Sequence, residues 1–282
     1  MPHPFSELYY WLDQIGQWWP WFTSYLPDKN GQLFVTIAGS LIGTFVGAYS
    51  AHKLAKWDRQ RDEATDKIRA YNSAIMIAFD IGNSYLNFKE QQSLELLKTF
   101  KAAKKKFLED REKGVEPIAV EFHLQSVTPF SSPFEKLEEL AYSKIGLNGR
   151  PLHLVSNIIR SADTVSKMMN DRNTLVRAFH DAYPNNSQPD NVKRYFGVAD
   201  STGITNTRIS DNLEALYSAT DDVIEFSRRL CLDLERNAGL LKKSHKLKGV
   251  TVNRTDFRIA EAKGIMPDPI KYKDWDDFEK AK

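Results

Sequence analysis

The sequence predicts a mainly α chain: one N-terminal transmembrane helix continuous with a cytosolic antiparallel helical bundle, and at most a small two-stranded ribbon. Three observations carry that expectation. Residues 33–51 read LFVTIAGSLIGTFVGAYSA, nineteen residues without a charge, Pro, Asn or Gln. Apolar residues recur at alternating intervals of three and four through most of the remaining chain, the period of an amphipathic helix. Only residues 118–125 and 250–259 have a β-like pattern.

Residues 1–32 form an interfacial aromatic segment. Trp11, Trp18, Trp19 and Trp21 are four of the six tryptophans, and such rings favour the headgroup level, where an apolar body and a polar N–H are both accommodated. Phe5, Leu8, Leu12, Ile15 and Trp19 share one helical face. Pro20 ends that helix, and PDKNG at 27–31 is a turn. A second span through residues 5–26 would bury Glu7 or Asp13, which hydrocarbon opposes.

Residues 33–52 are the expected transmembrane helix. At the α-helical rise, nineteen residues cover about 28 Å, close to the thickness of a hydrocarbon core. Lys53, Lys56, Arg59 and Arg61 follow at once, whereas Asp28 and Lys29 cancel on the leading side. The positive-inside bias then places the N-terminus outside and the larger part in the cytoplasm, at the cell's inner membrane. Gly39, Gly43 and Gly47 recur every four residues and Ala51 continues the series. Small residues at this interval open a groove for a second helix, which predicts a homo-oligomer, with Ser40 and Thr44 placed to hydrogen-bond across it. The competing reading is that the apolar run is the buried central helix of a globular domain.

Residues 53–248 are the expected cytosolic bundle. Leu54, Trp57, Arg61, Ala64, Ile68, Tyr71, Ile75, Ala78, Gly82 and Tyr85 continue the helical spacing out of the span, and Gly82 with Asn83 is the one breaker before Pro117. A second helix covers 84–113, with Leu94, Leu97, Phe100 and Phe107 inward and a lysine run at 101–106 outward. Residues 116–130 alternate as a half-buried strand or extended strap, and residues 250–259 are its one candidate ribbon partner. Ser132 is the expected cap of a helix through residue 144 that carries Pro133 in its first turn. Residues 151–183 form a strongly amphipathic helix, 184–191 a loop, and a short helix precedes the loop at 201–203. Residues 204–248 form the longest cytosolic helix, whose seam of Ile209, Leu213, Leu216, Val223, Leu230, Leu234 and Leu241 is interrupted at Thr220 and Ser227. Residues 249–282 are an extended strap or interaction tail with Trp275 and Phe278 as partner-binding anchors.

Composition narrows function by exclusion. A net charge of +2 offers no general attraction to nucleic acid, so direct binding to it is not expected. The one cysteine, Cys231, lies in an apolar stripe and reads as a packed thiol. The leader has neither a basic n-region nor an Ala-x-Ala-like site, so the span is expected to stay as an uncleaved anchor. HExxH, GxSxG, GxGxxG, Walker and CxxC patterns are all missing. The histidines stand at 3, 52, 123, 153, 180 and 245 without metal-ligand spacing. His153 and His180 share a helix yet sit roughly 40 Å apart along it. No enzyme, cofactor or metal is expected.

The span with its basic exit, its glycine face and its helical soluble part, over residues 33–113, resembles the small transmembrane effectors of bacterial anti-phage modules, those paired with retrons or cyclic-nucleotide sensors. The resemblance is architectural and rests on no family motif, so no functional residue is carried over. It implies a cytosolic protein or ribonucleoprotein partner that restrains the domain, and a bilayer that the clustered span perturbs. The alternative is a membrane-anchored adaptor that recruits a cytosolic partner, with neither pore nor catalysis.

Overall fold

The computed structural model describes residues 10, 13, 14, 17, 20, 29–115, 120, 122–183 and 188–275, but not the side chains of 29–35, 38 and 42. Its helices are α1 (Lys29–Phe88), α2 (Leu94–Glu112), α3 (Phe134–Glu139), α4 (Gly149–Ala182), α5 (Pro189–Phe196), α6 (Arg208–Ser244) and α7 (Arg258–Ala262). Two π turns, Lys89–Ser93 and Leu140–Ile145, and a 3-10 turn, Pro269–Trp275, complete the set. The mainly α class is as predicted. Among the described residues there is no strand: residues 122–130 and 250–257 lie outside the helices and share no backbone hydrogen bond, so no ribbon is formed among them, and residues 116–119 and 121 of the first run lie outside the described residues. Alternation identifies chain with one face covered, and that cover is helical here.

Backbone contacts divide the chain into two compact units. One comprises Met1–Arg69 with Ala238–Thr251, the other Ala70–Asn237 with Val252–Lys282. In the first, Ala64, Ile68 and Leu247 are buried, and the last turn of α6 carries Lys242 and Lys243, which suit the negative end of a helix dipole.

The second unit is built on α6. Going up α1, Ile75, Gly82 and the following Lys89 meet Cys231, Ser227 and Asp221 in turn, so α1 and α6 run antiparallel. Helix α4 is antiparallel to α6 as well, since Arg150 bonds Asp233 and the Met168 carbonyl accepts from Asn212. Apolar stripes of the three helices fill the centre: Ile75, Ala78 and Ile81; Leu154, Ile158 and Val165; Leu216, Val223 and Leu230. An aromatic cluster of Phe100, Phe107, Phe122, Phe179, Tyr195 and Phe196 joins α2, α4, α5 and the 122–130 strap.

Four local expectations are corrected. Gly82 does not break the helix. It lies inside α1, where a Cβ would come within 3.2 Å of the Ser227 Cβ, so glycine is there to let two helices approach. The predicted boundary near residue 84 is replaced by the π turn at Lys89–Ser93, which keeps helical backbone angles at both ends. Ser132 does not cap α3 with its hydroxyl, which is buried without a partner among the described residues, and its carbonyl accepts from the Phe134 N–H instead. The loop before α6 is longer than expected because Asp200 organises it. That carboxylate accepts from the Thr202 N–H and hydroxyl, the Ile204 N–H and Arg194 Nε. These bonds, the Thr202 hydroxyl foremost, hold Asp200 well below the usual carboxylate range.

Candidate functional site

Two regions carry the residues singled out above, one in each unit. In the first, the described side chains of α1 between 36 and 54 are largely uncovered. Phe45 is 74% exposed, Leu41 65% and Ile37 50%. At Gly39, Gly43 and Gly47 an added Cβ would meet nothing within 4 Å, and Ala51 is exposed. The Ser40 hydroxyl donates to the Ile37 carbonyl and the Thr44 hydroxyl to the Ser40 carbonyl, both at 2.8 Å. Both hydroxyls thus bond carbonyls within their own helix.

A collar of rings and cations follows. Lys53 Nζ lies 5.7 Å from the centre of the Tyr49 ring, and the Arg61 guanidinium 5.6 Å from the Trp57 ring. Arg59 pairs with Glu63 at 2.9 Å, and Lys56 is exposed. Among the described residues no helix is long and apolar enough to cross a membrane, so the transmembrane helix expected at 33–52 draws no support from this measure. Five side chains of that stretch, those of 33–35, 38 and 42, lie outside the described residues, and Gly and Ser dilute the remainder. Trp11, Trp18, Trp19, Trp21 and Phe278 also lie outside the described residues.

In the second unit, the sequence reading missed a row of buried ions along α6. The π turn directs Lys89 inward, where Nζ donates to Asp221 Oδ1 at 2.6 Å and stands 4.9 Å from the centre of the Tyr217 ring. Lysine and aspartate are both almost fully buried. One residue on, Asp222 accepts from the Tyr272 hydroxyl at 2.7 Å. Glu225 takes Arg228 through two bonds and Arg229 through one of 2.6 Å. Asp233 is held by Arg150 through one guanidinium edge, Nε donating to Oδ2 and Nη2 to Oδ1. Burial pushes the Asp222 carboxyl above its usual range, and the Tyr272 hydrogen bond pulls against it. A hint was present in the sequence: Asp221, Asp222 and Glu225 flank the apolar seam around Val223, and acids beside a core face need partners.

Neither any known family, any curated protein nor any solved structure matches this chain.

Trp275, expected as a partner anchor, rests its ring edge-on against Phe226 at 5.0 Å, and its carbonyl accepts from Arg150. The tail up to that residue is therefore laid along α6. Cys231 is fully buried, with its thiol 3.6 Å from the Ile75 carbonyl, and burial pushes that thiol up to about 12, far from a nucleophile's range. Among the described residues no group of His, Cys, Asp or Glu is arranged to hold a metal ion. His123, His153, His180 and His245 are not brought together; His245 engages its neighbour Ser244 and the Leu241 carbonyl. The buried acids meet cations or a phenol, an arrangement suited to fixing helix register.

Proposed function

We propose that α1 anchors this chain in a lipid bilayer over residues 33–52 and that the anchored helix associates with copies of itself, so that the helical part acts as a membrane-bound effector under the control of a cytosolic partner. The observation that carries this reading is the exposed apolar run of Ile37, Leu41 and Phe45, uncovered among the described residues and followed by the Tyr49–Lys53 and Trp57–Arg61 pairs. Exposed apolar side chains of that size in a row are costly in water, at about 25 cal/mol per Å² of apolar surface. Lipid removes that cost. Aromatic rings and cations directly after the apolar run are the anchors expected at a headgroup layer.

The test is extraction of cell membranes with alkaline carbonate followed by ultracentrifugation. The chain is expected in the pellet, and Leu41→Lys with Phe45→Glu is expected to move it to the supernatant. Recovery of the unaltered chain in the supernatant would remove the anchoring reading. Expression without neighbouring genes then separates effector from adaptor: loss of membrane potential supports the effector, and polarised cells support a tether alone.

A further inference from the structure

We propose that the groove between α2 and the 122–130 strap takes an extended peptide of a partner protein, which pairs with the open backbone edge of the strap as an added strand and carries basic side chains toward Glu95. This goes beyond membrane anchoring and does not depend on it.

The strap is pinned along one side only. The His123 N–H donates to the Tyr195 hydroxyl, and the His123 and Gln125 carbonyls accept from Arg172. The Val127 N–H and carbonyl are both taken by the side-chain amide of Asn173, at 2.9 Å each. Residues 123, 125 and 127 therefore direct their backbone groups toward α4 and α5. In extended chain the backbone groups of successive residues point to opposite sides, so those of Leu124, Ser126 and Thr128 point away. None of these three has a backbone hydrogen bond among the described residues. Unbonded donors and acceptors on alternate residues recur about every 7 Å in extended chain, the template that an added strand completes.

A groove lies beside that edge, with a volume of about 310 Å³. Its buried lining is Leu96 and Val127, and Gln91, Glu95, Gln125 and Ser126 form its exposed rim. The π turn Lys89–Ser93 supplies the helical wall at Gln91, and Lys89, the first residue of that turn, is locked to Asp221. An apolar floor with a polar rim suits one apolar side chain of an extended peptide, its neighbours facing outward. Glu95 is the one carboxylate on the lining and no Lys or Arg accompanies it, which favours lysine or arginine at the flanking positions. A small polar ligand would meet the side chains but leave the backbone ladder open.

The experiment uses the full-length chain in detergent micelles and a fluorescein-labelled, capped heptapeptide of alternating lysine and valine, followed by fluorescence anisotropy. Saturable binding is expected. Ser126→Pro removes the unbonded N–H of a groove-lining residue without removing the donors and acceptors that Gln125 and Val127 use, at a position type where edge strands tolerate proline. It should weaken binding about tenfold, as for one hydrogen bond and its unpaired partner. Ser126→Ala should leave binding within about twofold, since the side chain is not the donor. Glu95→Lys should weaken binding as well, and serves as the second probe if the proline variant loses its helical circular dichroism. The same peptide with alternate amides N-methylated on its pairing edge should not bind. Absence of saturation up to about 1 mM peptide, or equal affinity for the N-methylated form, overturns the proposal. So does equal binding by folded Ser126→Pro.

Discussion

A carboxylate denied water has to be matched, and α6 matches Asp221 and Asp222 in different ways. Asp221 meets an ammonium, Asp222 a phenol. Burial raises the folded-state pKa of Asp222, so its contribution to stability is full below the ordinary carboxylate range and is lost as pH rises through the raised folded value. Tyr272→Phe deletes the hydrogen bond that lowers this value, so the folded pKa climbs further and the loss at neutral pH grows. The variant is expected to lose about 1–3 kcal/mol near neutral pH, the cost of leaving a largely buried acceptor unpaired. It should lose less near pH 4, about the range where an unfolded aspartate protonates. Urea titrations at the two pH values check this, and a larger loss on the acid side would contradict the assignment. These partners were invisible in the sequence because they lie 132 and 50 positions apart. Only the nearness of these acids to the apolar seam of α6 was visible.

At the scale of elements, the helices were readable and their joints were not. Spacings of three and four located α4 and α6 to within a few residues at most of their ends, and Phe100 and Phe107 of α2 are buried as their spacing demanded. Gly82 was misread as a break because glycine disfavours helices locally, whereas its role is set by Ser227 on another helix. Gly82→Leu is expected to destabilise the chain by about 1–3 kcal/mol through overpacking, despite roughly 1 kcal/mol of helix propensity gained. Thermal melts check it, and Ser227→Gly in the same chain should recover part of the loss. The strap shows the same division: its alternation was plain, its clamp was not. Arg172 is buried and spends two nitrogens on strap carbonyls. Arg172→Met should speed amide hydrogen exchange across residues 122–128 while α6 stays protected, as measured by mass spectrometry. Uniform loosening of both would mean that the strap has no separate clamp.

For the whole molecule, the open glycine face of α1 makes one further demand. If Gly43 sits in a helix–helix contact, Gly43→Leu fills the groove and the detergent-solubilised chain should sediment as a smaller species in the ultracentrifuge. Unchanged sedimentation would leave the glycines as packing-neutral. By itself, the sequence determined the mainly helical class, the positions of the long amphipathic segments, the buried thiol of Cys231 and the break in the helical pattern within 116–130, seen at the described residues 120 and 122–130, because each follows from a local period or from one side chain's chemistry. Only the tertiary structure decided that Lys89 meets Asp221, that Gly82 admits Ser227, and that Arg172 and Asn173 hold one edge of the strap and leave the other open. The physical reason is range: a helical repeat is written within a few neighbouring residues, whereas a buried ion, a close approach or an unpaired edge is defined by which distant segment arrives opposite it.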